Sequence, residues 1–251
     1  MSVPALAVPA AAPSLPPSLH EFVWRAGHMG QTRAIVTPTG HAALDRELPD
    51  RGWPHRGLIE LLLQQGGIGE MRLLQPALQA LGNRRIALLQ PPHLPQIAAW
   101  RAWGLPAERL LWVRTSRHAD ALWSAEQILR NGSCSALLFW QNTLRHESLR
   151  RLQLAAQAAD MLCWLLRPLT AAAESSPAPL RIALHPLAGG IRLDIRKRRG
   201  PQCAAPLDLH WPDRAGFMNE SAFRPDEASD ALLDRRHLAT AAPAIAASAL
   251  V

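Results

Sequence analysis

The chain has 251 residues, with 27 Lys+Arg against 20 Asp+Glu, a formal charge of +7 and 48% hydrophobic residues. Lys197 is its only lysine and it has no tyrosine, which excludes a phosphate-loop lysine anywhere else and any tyrosine-dependent mechanism. The length suits one larger domain with tails, no stretch approaches the ~20 apolar residues of a membrane helix, and three scattered cysteines, Cys134, Cys163 and Cys203, favour a reducing, cytoplasmic setting over a disulfide framework or a zinc site.

Met1 to Pro17 carries no charge and so lacks the basic start of a secretion signal. Residues 1–19 are rich in Ala and Pro and read as a disordered arm, residues 20–212 as the ordered core, and residues 213–251 as a weakly structured, partner-binding tail in which Pro225 to Arg236 forms one short helix. Gly57 to Leu63 reads as a buried strand that runs into a Gly-rich turn, Gln64 to Gly69. Glu70 to Leu81 has Met71, Leu74, Leu78 and Leu81 at helical spacing, with Pro76 disturbing its first turns. Arg85 to Leu89 is a strand, Leu94 to Trp103 a helix ending at Gly104, and Leu110 to Val113 another strand. Asp120 to Arg130 is a helix closed by Gly132, Ala136 to Trp140 a fully apolar strand, Glu147 to Asp160 a helix, and Met161 to Leu166 a strand. Thr170 to Pro179 reads as a surface loop. Leu180 to Leu184 and the strictly alternating Ile191 to Arg196, joined through Gly189-Gly190, suggest an antiparallel hairpin at the sheet edge. Strand–helix alternation of this kind predicts an α/β protein with a mostly parallel central sheet.

A strand, a glycine turn and a helix form the usual setting for nucleotide phosphates. The consensus of Gly, four residues, Gly, Lys and Ser/Thr falls on Gln64, Gln65, Gly66, Gly67, Ile68, Gly69, Glu70 and Met71. Only Gly69 keeps its defining residue. Glu70 sets a carboxylate where the lysine belongs, a swing of several kcal/mol against phosphate at about 4 kcal/mol per charge pair. Met71 offers no oxygen to Mg²⁺. Glu70 also suits a vacant site, since a carboxylate in a first turn complements the helix dipole. On pattern alone, an ordinary Gly-rich turn with an acidic helix start explains these residues equally well.

The segment Pro38-Thr39-Gly40-His41-Ala42-Ala43-Leu44-Asp45 and the run Gly52-Trp53-Pro54-His55-Arg56-Gly57-Leu58-Ile59-Glu60-Leu61 resemble what precedes the phosphate loop in RecA-type recombinases. Leu48-Pro49, Gly67 to Leu74, Pro91-Pro92-His93-Leu94-Pro95, Ala121-Leu122-Trp123, Glu126 to Arg130 and Leu149 to Gln153 resemble the ImuA family, RecA/SulA-like proteins of bacterial damage-inducible mutagenesis cassettes. The resemblance spans roughly residues 22–200. It implies a RecA-like three-layer core with a degenerate phosphate loop and no cofactor. The implied work is that of a non-catalytic adaptor in the SOS response, supporting translesion synthesis with an ImuB-like polymerase homologue and an error-prone DnaE-type polymerase. The alternative is a SulA-like inhibitor that binds the division protein FtsZ.

RecA-like ATPases carry carboxylates at the ends of two strands, one activating water and one helping to hold Mg²⁺. The matching strands here end Leu89-Gln90-Pro91-Pro92-His93 and Phe139-Trp140-Gln141, with no acid, so no catalytic or metal-binding residue is expected. His93, among prolines, reads as a structural or solvated histidine. Arg196-Lys197-Arg198-Arg199 reads as an exposed basic run just past the alternating strand, open to a DNA or partner contact or merely solvated. The arginine bias of the chain makes its charge a weak pointer to nucleic acid. Trp100, Trp103, Trp112, Trp123, Trp140, Trp164 and Trp211 read as core packing or a partner surface, and Arg145, Arg150 and Arg151 as a solvated helix face.

Overall fold

The computed structural model describes residues 35–201, 203 and 205–211. All but Trp211 belong to a compact unit, Met1–His210; Trp211 opens a second unit, Trp211–Val251. The expected arm 1–19 and the tail from 213 onward, with its short helix, lie outside the described residues.

In chain order the elements are β1 (Val36–Thr37), α1 (Ala42–Glu47), β2 (Trp53–Pro54), β3 (Leu58–Leu63), α2 (Glu70–Ala80), β4 (Arg85–Leu89), α3 (Ile97–Ala102) and β5 (Leu110–Val113). Then follow α4 (His118–Asn131), β6 (Cys134–Trp140), α5 (His146–Ala158), β7 (Leu162–Pro168), β8 (Leu180–Leu187), β9 (Gly190–Lys197) and β10 (Leu207–His210). Eight strands form one sheet in the order β10-β9-β8-β3-β7-β6-β4-β5. The pairs from β8 through β5 are parallel, while β9 pairs antiparallel with both β8 and β10. This is a mixed α/β protein with a mostly parallel central sheet.

The burial pattern explains the arrangement. All six residues of β3 are buried, as a central parallel strand covered on both faces requires. On one face, Ala121, Ala125 and Leu129 of α4 and Leu149, Leu152 and Ala156 of α5 close over Leu137, Phe139, Cys163 and Leu165. On the alternate face of β7, Trp164 meets the buried ring of Trp53 edge-on, with centroids 5.8 Å apart. The thiol of Cys163, in the middle of the sheet, is fully enclosed, and burial pushes its pKa up to about 12.

Strands β4 and β5 have the bounds that their apolar runs predict, and Gly132 closes α4 in the left-handed region at φ 66°. Other expectations need correction. α3 begins at Ile97, not Leu94, because Pro95 disfavours helical backbone in the residue before it. α4 starts two residues early, at His118. The segment from Thr170 is not a plain surface loop: Leu169–Ala173 is a 3-10 turn, and Ala171 and Ala178 are buried. The β8–β9 hairpin is not at the edge, because β10 flanks it. α1, β1 and β2 are further elements that the sequence pattern did not announce.

The segment before α1 packs against Pro76, which lies inside α2. A Cβ on Gly40, whose φ is +80°, would lie 2.2 Å from the Pro76 Cβ. His41 Nε2, next in sequence, donates to the Leu73 carbonyl at 3.2 Å.

A charged cluster lies inside the sheet. Glu60 of β3 is wholly buried and faces Arg181 of β8 in register. Arg181 Nε donates to Glu60 Oε2 at 2.5 Å, and Arg167 Nη1 of β7 donates to Glu60 Oε1 at 3.4 Å. Arg167 Nη2 reaches Glu174 Oε2 at 2.7 Å, while Arg181 donates to the carbonyls of Glu174 and Ala171 at 3.0 and 2.8 Å. Glu60→Ala leaves two buried guanidinium groups short of an acceptor, so we expect a loss of about 3–5 kcal/mol in urea unfolding. An unchanged midpoint would refute the structural role of the cluster.

Burial holds the imidazoles of His41 and His55 below the ordinary histidine range, outweighing the Leu73 carbonyl and Asp45 near the first and Asp160 near the second. As pH falls through about 6.5 the unfolded chain takes up these protons before the folded one does. Their contribution to stability is therefore complete above that pH and declines below it. We expect a lower thermal midpoint at pH 5.5 than at pH 7.5, with the difference reduced in a His41→Gln, His55→Gln double variant.

Candidate functional site

The turn between β3 and α2 is built around its own acid. Gly69 takes φ 109° and ψ 10°, a conformation that suits glycine, and delivers the chain into the first turn of α2. There the Glu70 side chain folds back. Its Oε1 accepts the Gly67 amide at 2.8 Å and its Oε2 the Gly69 amide at 3.2 Å. Glu70 is 4% exposed. Amide groups at a helix N-terminus form a ready anion site; here the anion comes from the same chain. Met71 is half-buried beside it, while Gln64, Gln65, Gly66 and Gly67 are exposed. Gln64 Oε1 lies 3.4 Å from His185 Nδ1.

The carboxyl ends of β3 through β7 gather around a crevice of about 480 Å³. Such a crevice is the usual ligand position in open α/β sheets. Its lining is rich in amides: Gln64, Gln65, Gln90, Gln141 and Asn142. Gln90, held at φ 56°, donates through Nε2 to the Thr115 carbonyl at 2.7 Å and to its hydroxyl at 2.8 Å. Gln141 Nε2 donates to His118 Nδ1 at 2.7 Å. These amides tie the strand ends to neighbouring loops, and no Asp or Glu is among the described residues that line the crevice. No group of three or more His, Cys, Asp or Glu side chains that could hold a metal occurs among the described residues.

Beside the crevice lies a more apolar hollow of about 220 Å³ between the Gly67–Met71 turn and α3, walled by Pro92, Leu94, Trp100 and Trp103. His93 sits on its rim, exposed. Leu94 is 61% exposed. Trp100 and Trp164 are core residues, whereas Trp112 and Trp123 face solvent. Arg145, Arg150 and Arg151 are exposed, and Arg151 also pairs with the buried Glu126 at 2.8 Å.

The basic run does not form one unit past the strand, because β9 continues through Lys197. Arg196 pairs with Asp194 at 3.0 Å, and Lys197 Nζ donates to the Ser176 carbonyl at 2.8 Å. Arg198 donates to the Glu47 carbonyl and carboxylate and, at 2.6 Å, to the Pro201 carbonyl. Arg199 is exposed, with no partner among the described residues. Compensation for three of the four charges is thus internal, and the run is well separated from the Glu70 turn, near the opposite ends of the strands. Sequence reasoning missed Arg167, which reaches from the buried cluster to the lining of the amide-rich crevice. The available signal was Glu60 itself, a carboxylate within an apolar run, which requires a buried partner.

Sheet and site define the class as a mixed α/β protein whose strand ends surround an acid-free crevice beside a self-bonded glycine turn. The chain is similar to SulA cell division inhibitors. The cell division inhibitor SulA of Photorhabdus laumondii is 31% identical over 112 residues, 44% of this chain and 63% of that protein. The SulA of Edwardsiella piscicida is 33% identical over 98 residues, 38% of this chain and 58% of that protein. The chain thus spans about six-tenths of the length of the curated relatives it matches. The crystal structure of SulA from Pseudomonas aeruginosa matches at 28% identity and a TM-score of 0.37, covering 44% of this chain and 97% of that one. No family model matches the chain. No helix among the described residues is long and apolar enough to cross a membrane.

The Glu70 bridge makes a direct prediction. Glu70→Ala strips two turn amides of their acceptor, a loss comparable to removing a helix cap, about 1–2 kcal/mol. Thermal and urea unfolding measure it, and amide exchange at Gly67 and Gly69 should accelerate. Unchanged exchange at both glycines would show that the bridge does not hold the turn.

Proposed function

We propose that this chain is a non-catalytic protein-binding module of the bacterial DNA damage response, built on a RecA-type core that neither binds nor hydrolyses nucleotide. The observation that carries the reading is the Glu70 bridge: both carboxylate oxygens occupy amides that a phosphate would need. The amide-tipped ends of β4 and β6 support it, because they offer no oxyanion to position water or Mg²⁺. The chain would work in the cytoplasm, without cofactor, by holding another protein.

Similarity to the SulA inhibitors supports a division inhibitor, with an FtsZ-type protein as its partner. A second reading, an ImuA-type adaptor for an ImuB-like protein and a DnaE-type polymerase in translesion synthesis, is favoured by a separate observation. Two of the runs that carry that resemblance, Gly67 to Leu74 and Pro91 to Pro95, meet in the one apolar hollow beside the Glu70 turn. Function selected on a partner surface keeps such residues together even where catalysis is lost.

Nucleotide binding and partner assays test the proposal. Calorimetry with ATP and Mg²⁺ should give no micromolar binding; such binding, or hydrolysis stimulated by DNA, would overturn the non-catalytic reading. Purified chain should block assembly of FtsZ in sedimentation, and its expression should make cells filament. Normal FtsZ assembly together with co-purification of an ImuB-like protein from damaged cells would select the adaptor instead.

A further inference from the structure

At the amino ends of the parallel strands, far along the sheet from the Glu70 turn, lies a cleft of about 430 Å³. Four segments frame it. The loop after α1 supplies Leu48, Pro49 and Asp50, β2 and the turn after it supply Pro54, His55 and Arg56, the start of β8 supplies Leu180, and the chain leaving β9 supplies Arg198 and Arg199. Its floor is apolar, with Leu48, Pro49, Pro179 and Leu180. Prolines lend rigidity to such walls, since each fixes its own φ.

The charge distribution is one-sided. Three arginines meet a single lining carboxylate, Asp50. Arg198 is anchored by Glu47 and the Pro201 carbonyl, and its side chain is 13% exposed, so it acts as a fixed wall charge. Arg56 and Arg199 differ: both are exposed, and neither has a hydrogen-bond or ion-pair partner among the described residues. Arg56 is held at φ 55°, a conformation uncommon for a residue with a side chain. Two free planar guanidinium groups over an apolar floor match a ligand that combines carboxylates with an apolar anchor. The volume lies within the usual range for ligand sites, about 300–1,000 Å³.

We propose that this cleft binds a short acidic peptide segment of a partner protein, seating an apolar side chain on Pro49 and Pro179, which cover the buried Leu48 and Leu180, and its carboxylates on Arg56 and Arg199. Nucleic acid fits less well for two reasons. No Trp or Phe ring lines the cleft to stack a base, and the one imidazole there, His55, is half-buried and bonded to Thr37 Oγ1. Arg196 and Lys197 are engaged elsewhere, so no continuous basic track leads away from the cleft. The proposal goes beyond the functional reading above and does not depend on it, because it concerns a different end of the sheet and a ligand that no nucleotide measurement reports.

The test uses the full chain. A phage-displayed library of random twelve-residue peptides is panned on it, and the recovered peptides are synthesised with a fluorescein label and titrated by anisotropy. We expect recovered peptides with Asp or Glu flanking a large apolar residue. Their affinity should fall at least tenfold in Arg56→Glu, Arg199→Glu, and less in Arg56→Gln, Arg199→Gln, while thermal midpoints stay unchanged because both side chains are exposed. Four results would overturn the proposal: no peptide binder, binders without acidic enrichment, equal affinity in the charge-reversed variant, or a labelled oligothymidylate that binds the wild type and is lost in that variant. Displacement of the recovered peptides by a synthetic peptide of residues 19–34 would also overturn it, by making the chain's own N-terminal segment the occupant.

Discussion

The architecture hangs on one buried carboxylate. Glu60 sits in the middle of the sheet, and its two oxygens are taken by guanidinium groups from the strands on either side. An unpaired charge in such a place costs several kcal/mol, so the strands can assemble only where both arginines arrive together. Side chains alternate between faces, and a slip of β8 by one residue would send Arg181 to the other face and leave Glu60 half-satisfied. The cluster thereby fixes the register of β7, β3 and β8. Glu174 and the carbonyl of Ala171 complete it from above, which is why an Ala-rich segment without helical or strand pattern is docked on the sheet instead of lying free in solvent.

Those three strands run between the two ends at which the candidate sites lie. β3 feeds the glycine turn at one end, where a single carboxylate satisfies two amides. At its other end it follows Arg56, and β8 starts at the apolar floor of the cleft. The two ends differ in chemistry. The carboxyl ends carry amides that bond to neighbouring loops and helices, Gln90 to Thr115 and Gln141 to His118. The amino ends carry guanidinium groups, two of them uncommitted. A protein that works by holding a partner needs unsatisfied groups at its surface, and the arginine cleft brings two of them, Arg56 and Arg199, over one apolar floor.

The central architecture was legible in the sequence because it rests on short-range signals. Apolar runs between turn residues gave β3, β4 and β5 nearly residue for residue, and Gly132 marked the end of α4. The failures share a cause as well. β1, β2 and β10 are only two to four residues long, too short for alternation to be visible. The fold-back of Glu70 depends on the φ of Gly69, and the burial of Arg198 on Glu47, 151 residues away. The partners of Glu60 lie 107 and 121 residues along the chain, so spacing could announce the need for them but not their identity.

The enclosure of Cys163 gives the molecule an internal clock. This thiol stands between β3 and β6 in the centre of the sheet, opposite Leu58 on one side and Leu137 on the other. Only a thiolate reacts quickly with alkylating reagents, and a group both enclosed and held near pKa 12 is almost never a thiolate while the sheet is closed. Its modification is therefore timed by the uncovering of the sheet face over which α4 and α5 close. The time course of labelling at this one sulfur would read how long that face stays covered, without any probe being added to the chain.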